Sequence, residues 1–180
     1  MGASFCDAAV AAIRAAAPGL PVGLSTSAAI DPDPFARAAA IGAWRHRPDF
    51  VSVNLCELGW MGIARAALHA GVAVEAGLSA PADAEQLRRS EFAHQILRVL
   101  IEVDGGAEDA WAIAERVPEG VAQLWHGSGE RTWEVISAAA AVGVDVRVGL
   151  EDVLVLPDGR TPADNAELVA AALALVSGTD

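Results

Sequence analysis

Arg147, Glu151 and Asp152 stand close together in "VDVRVGLEDVLVLPDGR", Val144 to Arg160. A guanidinium and two adjacent carboxylates are an unfavourable set to leave at the end of an apolar strand, because a buried charge is destabilising unless it is paired. The residue types suit catalysis. A neighbouring cation lowers the pKa of one carboxylate so that it can bind a metal, and the second carboxylate can serve as a base. The same three side chains could also close on themselves as a structural ion-pair cluster. Other groups with chemical potential lie near the ends of apolar runs. They are Ser25 in "PVGLSTS", Asn54 in "DFVSVNL", Glu75 in "GVAVEAGL", Arg98 and Glu102 in "ILRVLIEV", and His126 in "VAQLWHG". His126 precedes "GSGE", a glycine-containing loop whose backbone N–H groups could face an anion. Arg98 reads as a partner for Glu102 or as the charge that neutralises Glu75.

The elements that must position these residues repeat. Six apolar runs, opening at Leu20, Asp49, Gly71, Ile96, Val121 and Val144, recur about every 25 residues. Between them lie segments of helical spacing: "DPFARAAAIGAWR", "MGIARAALHAG", "DAEQLRRSEFAHQ", "AEDAWAIAERV" and "TWEVISAAAAVG". A strand followed by a helix at this period is the unit of a parallel sheet. Gly71, Gly120 and Gly143 stand where helix-closing glycines belong.

Strand parity narrows the choice of fold. Val144, Val146, Val148 and Leu150 alternate with Asp145, Arg147, Gly149 and Glu151. Ser25 and Ser27, Ser52, Asn54 and Cys56, and Ala122, Leu124 and His126 take the second face on their own strands. One face is aliphatic and packs on helices. The other is small or polar, with its charges late in the strands. A (β/α) barrel has this layout and gathers its chemistry at the carboxyl ends of its strands. A doubly wound sheet would bury both faces and usually carries a Gly-rich first turn, which is absent. The expectation is a single domain over residues 1–180, an α/β fold of (β/α)8 TIM-barrel type represented by six units. The full barrel typically takes about 250 residues. The chain opens on a helical stretch, so the two missing units would be the first two, and the six present would be units three to eight.

Bulk properties exclude several function classes. The 180 residues are 53% hydrophobic and 20% charged, a globular composition. A net charge of −12 argues against a nucleic-acid surface. Cys6 and Cys56 have no CxxC spacing, which fits two reduced thiols in a cytoplasmic protein. No run of apolar residues is long enough to span a membrane, and the opening stretch, with Asp7 and Arg14 and no basic lead, does not read as a signal peptide.

"PVGLSTS", "PDFVSVNLCELG", "GVAVEAGL", "LRVLIEV", "LWHG", "RVGLEDVLVLPDGR" and "DNAELV" follow one another in an order and spacing that resemble the β-keto acid cleavage enzymes. That family is typified by the 3-keto-5-aminohexanoate cleavage enzyme. The resemblance implies a zinc-dependent (β/α)8 barrel that converts a β-keto acid and acetyl-CoA into acetoacetate and a new CoA thioester. It implies Glu151 as a zinc ligand and Asp152 as the base, with Arg147 beside it. It places Glu75 as an inward catalytic glutamate and Ser25 as a substrate-binding serine. Asn54 stands where the best-described member has a threonine, and His126 is a candidate contact for substrate or CoA. The family's two histidine ligands form a His-x-His pair, and His46, His69, His94 and His126 provide none.

Three readings follow: a zinc-dependent acyl exchange enzyme, a catalytically silent barrel fragment that works or folds only through association, and an unrelated barrel binding phosphate at "HGSGE". Six strands leave two open edges, so a homo-oligomer is expected. His46 and His69 read as solvated, and His94 as partly buried within a helix. The five tryptophans read as packing between helices and sheet.

Overall fold

Apolar runs and helix-period segments alternate in space as they do along the chain, in a computed structural model that describes residues 3–178. The backbone groups into two units, residues up to 77 with 91–98, and residues 78–90 with those from 99 onward.

The first unit holds α1 (Ala3–Ala16), β1 (Gly23–Ser25), α2 (Pro34–Gly42), β2 (Phe50–Asn54), α3 (Trp60–His69) and β3 (Ala73–Leu78, all but its last residue). Asp33 caps α2 by accepting a hydrogen bond from Phe35 N at 2.9 Å, and Pro34 supplies the pre-set φ of a first helical residue. Gly71 closes α3 at φ +73°, a left-handed conformation that a side chain would strain. The strands are parallel, in the order β1-β2-β3, with Gly23 opposite Phe50 and Phe50 opposite Ala73. Val51 and Val53 are buried while Ser52 and Asn54 are only half-buried, which is the expected parity. Each such valine is worth roughly 1.5–3 kcal/mol on burial.

The second unit holds α4 (Pro81–Arg88), β4 (Arg98–Val103, from its second residue), α5 (Ala107–Ala114), β5 (Gln123–Gly127), a 3-10 turn at Gly129–Arg131, α6 (Thr132–Ala141), β6 (Asp145–Val146) and α7 (Asn165–Ser177). Its strands are again parallel, β4-β5-β6, with Glu102 opposite His126 and Trp125 opposite Val146. Val99, Ile101, Val135 and Ile136 form the buried layer, and Trp111 meets Trp125 edge to face at 4.9 Å.

Parallel strands alternating with helices bear out the α/β repeat. Two elements differ from expectation. The helical spacing of "DAEQLRRSEFAHQ" extends past Ser90, yet α4 ends at Arg88 and His94 is exposed in a turn. Ser90 Oγ donates to Leu87 O at 2.7 Å, a local bond that competes with helix continuation. Phe92 is instead buried against Trp60, at 5.7 Å between ring centroids. The alternation from Val144 to Glu151 predicts a long strand, but β6 covers only two residues. Arg147 N adds one more ladder bond to Trp125 O, and the chain then turns, with Asp152 N donating to Gly149 O. Among the described residues, no helix is long and apolar enough to cross a membrane.

Candidate active site

The charged stretch after β6 is shaped by its backbone before its side chains meet anything. Asp152 N donates to Gly149 O at 3.0 Å, and Asp152 O accepts from Gly129 N at 2.9 Å, which ties the turn to the loop after β5. Leu150 N donates to Asn165 Oδ1 at 2.8 Å, so the first residue of α7 holds the turn from its other side. Asp164 caps that helix through Glu167 N. The "DNAELV" motif therefore has a local task, which is to fix the turn that carries the acids.

Four of the sequence-derived candidates meet there. Arg147 Nη2 lies 3.2 Å from Glu151 Oε1 and 3.7 Å from Asp152 Oδ2. His126 Nε2 lies 3.1 Å from Asp152 Oδ1. His126 Nδ1 lies 3.3 Å from the Arg147 carbonyl oxygen. Asp152 is largely enclosed, with 12% of its side chain exposed, whereas Glu151 is 61% exposed. Its own backbone N–H holds the Glu151 carboxyl below its ordinary range against the opposing effect of partial burial, and Arg147 adds to the lowering. The expected pairing of Arg147 with Glu151 is present.

His126 is fully buried. It faces protein groups rather than open space, a setting unlike that of the substrate contact expected of it. Despite the short contact to Asp152 Oδ1, Nε2 makes no hydrogen bond, and Asp152 Oδ2 has no hydrogen-bond partner either. The loop "HGSGE" spends one of its amides on Asp152, and Thr132 Oγ1 bonds the carbonyls of Gly127 and Gly129. That leaves the loop less free to cradle a phosphate.

No three His, Cys, Asp or Glu side chains stand together to hold a metal among the described residues. Glu151 turns its carboxylate to Arg147. These residues alone do not fit a zinc site, which needs three protein ligands and an open position.

The remaining candidates belong to the first unit. Glu75 is buried on β3 and accepts from Arg98 Nε at 2.7 Å, with Arg98 also over the Phe50 ring. Asn54 donates to Glu57 Oε1 at 3.1 Å, and its Oδ1 fills the space a Cβ on Gly77 would need. Ser25 is exposed and accepts from Ser27 N at 3.3 Å. It lines a cavity of about 50 Å³ together with Thr26, Arg37, Ile41 and Trp44.

Glu57 and Arg37, which the sequence reading did not single out, organise this region. Arg37 Nη1 reaches Glu57 Oε2 at 2.5 Å and Thr26 O at 2.6 Å. Glu57 also accepts from Ser27 Oγ at 3.1 Å and Ala28 N at 2.8 Å. One carboxylate thus joins the loop after β1, the loop after β2 and helix α2. Burial pushes the Glu57 carboxyl up, but the bonds from Ala28 N, Arg37, Asn54 and Ser27 outweigh it and leave the pKa below its ordinary 4.5. The available signal was an arginine interrupting the apolar α2 and a glutamate just past a strand end.

Residues 105–180 match the family model for beta-keto acid cleavage enzymes. The match spans β5, β6 and α7 and contains His126, Arg147, Glu151 and Asp152, whereas Ser25, Asn54 and Glu75 lie outside it. It supports the resemblance drawn from the motifs. No curated protein matches the chain.

Proposed function

From that match we propose that the chain carries the proton-abstracting part of a β-keto acid cleavage site, set in a (β/α)8-type barrel. The observation that supports it is the meeting of His126, near the end of strand β5, with Arg147 and Asp152, which follow β6, inside the stretch that matches the family. Asp152 is the base. It removes a proton from the carbon between the keto and carboxylate groups, with Arg147 Nη2 standing 3.7 Å from its Oδ2. The resulting carbanion forms a bond to the acetyl carbon of acetyl-CoA, and the CoA thiolate leaves. The thiolate then attacks the original keto carbon. The bond to the former α carbon breaks, giving a new CoA thioester and, after a proton returns, acetoacetate. Ser25, Asn54 and Glu75 are the candidate substrate contacts, and the cytoplasmic setting remains part of this reading.

Zinc belongs to the proposal with Glu151 as one ligand, and the two histidines must be supplied from outside this sequence. The test is an assay of acetoacetate formation from a panel of β-keto acids with acetyl-CoA and zinc. The chain alone is expected to show no turnover. The chain fused to two βα units bearing a strand-end His-x-His pair is expected to gain it. Robust zinc-dependent turnover by the chain alone would misplace the ligands, and an inactive but folded fusion would favour the silent-fragment reading, which the missing ligand set also supports.

Association is expected as well. β1 pairs only with β2 and β6 only with β5 among the described strands, and Leu20, Phe35, Leu154, Val155 and Leu173 are exposed. Open strand edges beside apolar side chains are templates for pairing with a second copy. Sedimentation velocity should show mass rising with concentration. A monomer at every concentration up to high micromolar would contradict this.

A further inference from the structure

We propose that Glu57 is a positioning residue for Asn54: its carboxylate fixes the side-chain amide with the nitrogen on Glu57 and the oxygen over Gly77, so that a substrate meets an acceptor there. The role rests on the reading of Asn54 as a substrate contact, but its evidence is geometric.

Glu57 accepts through both of its oxygens. Oε1 takes Asn54 Nδ2 at 3.1 Å and Ser27 Oγ at 3.1 Å, while Oε2 takes Ala28 N at 2.8 Å and Arg37 Nη1 at 2.5 Å. The carboxyl is held below its ordinary range, so at neutral pH it is ionised and can only accept. An asparagine amide has one donating end and one accepting end. Facing a carboxylate it presents the nitrogen, and the oxygen turns the other way. That oxygen lies over Gly77, the residue opposite Asn54 on β3, where a Cβ would stand 2.5 Å from it. Among the described residues the amide's one hydrogen bond is to Glu57, so Oδ1 keeps its lone pairs for an occupant. Ser25 takes the same face, opposite Ser52 and so two residues short of Asn54. Its Oγ accepts from Ser27 N at 3.3 Å, which leaves the hydroxyl hydrogen to donate. Ser27 is in turn held by Glu57. One carboxylate therefore stands behind a donor from Ser25 and an acceptor from Asn54. A substrate bonded through its own donor is rejected when the amide is reversed, because two donors then face each other and both stay unpaired.

Glu57→Gln tests the direction of the amide. Ala28 N and Arg37 Nη1 can only donate, so the oxygen that Gln retains stays on their side. Its new NH2 then faces Ser27 Oγ, which can accept, and Asn54, which accepts only by reversing its amide. In the full chain labelled with carbon-13 and nitrogen-15, nuclear Overhauser contacts from the Asn54 NH2 protons report that direction. The contact to Gly77 Hα is expected to be weak in the wild type and severalfold stronger in Glu57→Gln. A Glu57 that only stabilises the fold would leave the contact unchanged, which overturns the proposal. Ser27→Ala removes the hydroxyl of the loop and leaves the carboxylate, so it should keep the wild-type pattern. A reversed amide in that variant assigns the role to the loop and also overturns the proposal. If Glu57→Gln fails to fold, the other two proteins still decide: a weak Gly77 contact in both supports the role, and a strong one in either refutes it. The readout is orientation and not turnover, so its failure is distinguishable from failure of the cleavage reading.

Discussion

Replacing Glu57 by Gln is expected to destabilise the chain by roughly 3–5 kcal/mol, the range for breaking one partner out of a buried ion pair. The size follows from what the substitution leaves behind. Arg37 has 5% of its side chain exposed, its Nη1 points at Glu57, and its Nε has no partner. Without the carboxylate, a buried guanidinium keeps only the carbonyls of Thr26 and Leu58. The same carboxylate joins Ser27 and Ala28 to the turn after β2, so the loss should spread to both loops. The pH dependence has a definite sign. The folded pKa of Glu57 is depressed, so its stabilisation is complete above the unfolded value near 4.5 and is lost as pH falls through the lower folded value. Urea denaturation of the wild type and Glu57→Gln should therefore give curves far apart at neutral pH that converge in acid. A difference below 1 kcal/mol at pH 7 would show that the hub is dispensable.

Asp152→Asn is expected to lower turnover by about a hundredfold to ten-thousandfold in the fusion that supplies the histidine pair, the usual contribution of a positioned general base. The amide keeps the shape of the carboxylate and removes its ability to take a proton. Thermal stability should change little by comparison, since Asp152 Oδ2 has no hydrogen-bond partner to lose. Turnover of a β-keto acid with acetyl-CoA, read as kcat and KM separately, checks this. Unchanged kcat in Asp152→Asn would remove Asp152 as the base and shift attention to Glu75, which Arg98 already engages.

Much of this protein is written in local properties of the chain, and those were legible. The alternation of apolar runs with helix-period segments specifies parallel βα units because side-chain periodicity decides which face can be buried. Gly71 and Gly143 mark helix ends because only glycine takes their positive φ without strain. The cluster of Arg147, Glu151 and Asp152 could be read because its members are neighbours in sequence and one short turn is enough to bring them together. Tertiary structure decided what depends on distant residues. It buried His126 by joining the end of β5 to the turn after β6, and it stopped α4 early by drawing Phe92 onto Trp60. It also built the Arg37–Glu57 hub from an arginine and a glutamate twenty positions apart, a pairing without any sequence period. Periodicity reports a residue's own environment, whereas an ion pair or a buried ring is a property of two segments, and only their packing selects which segments meet.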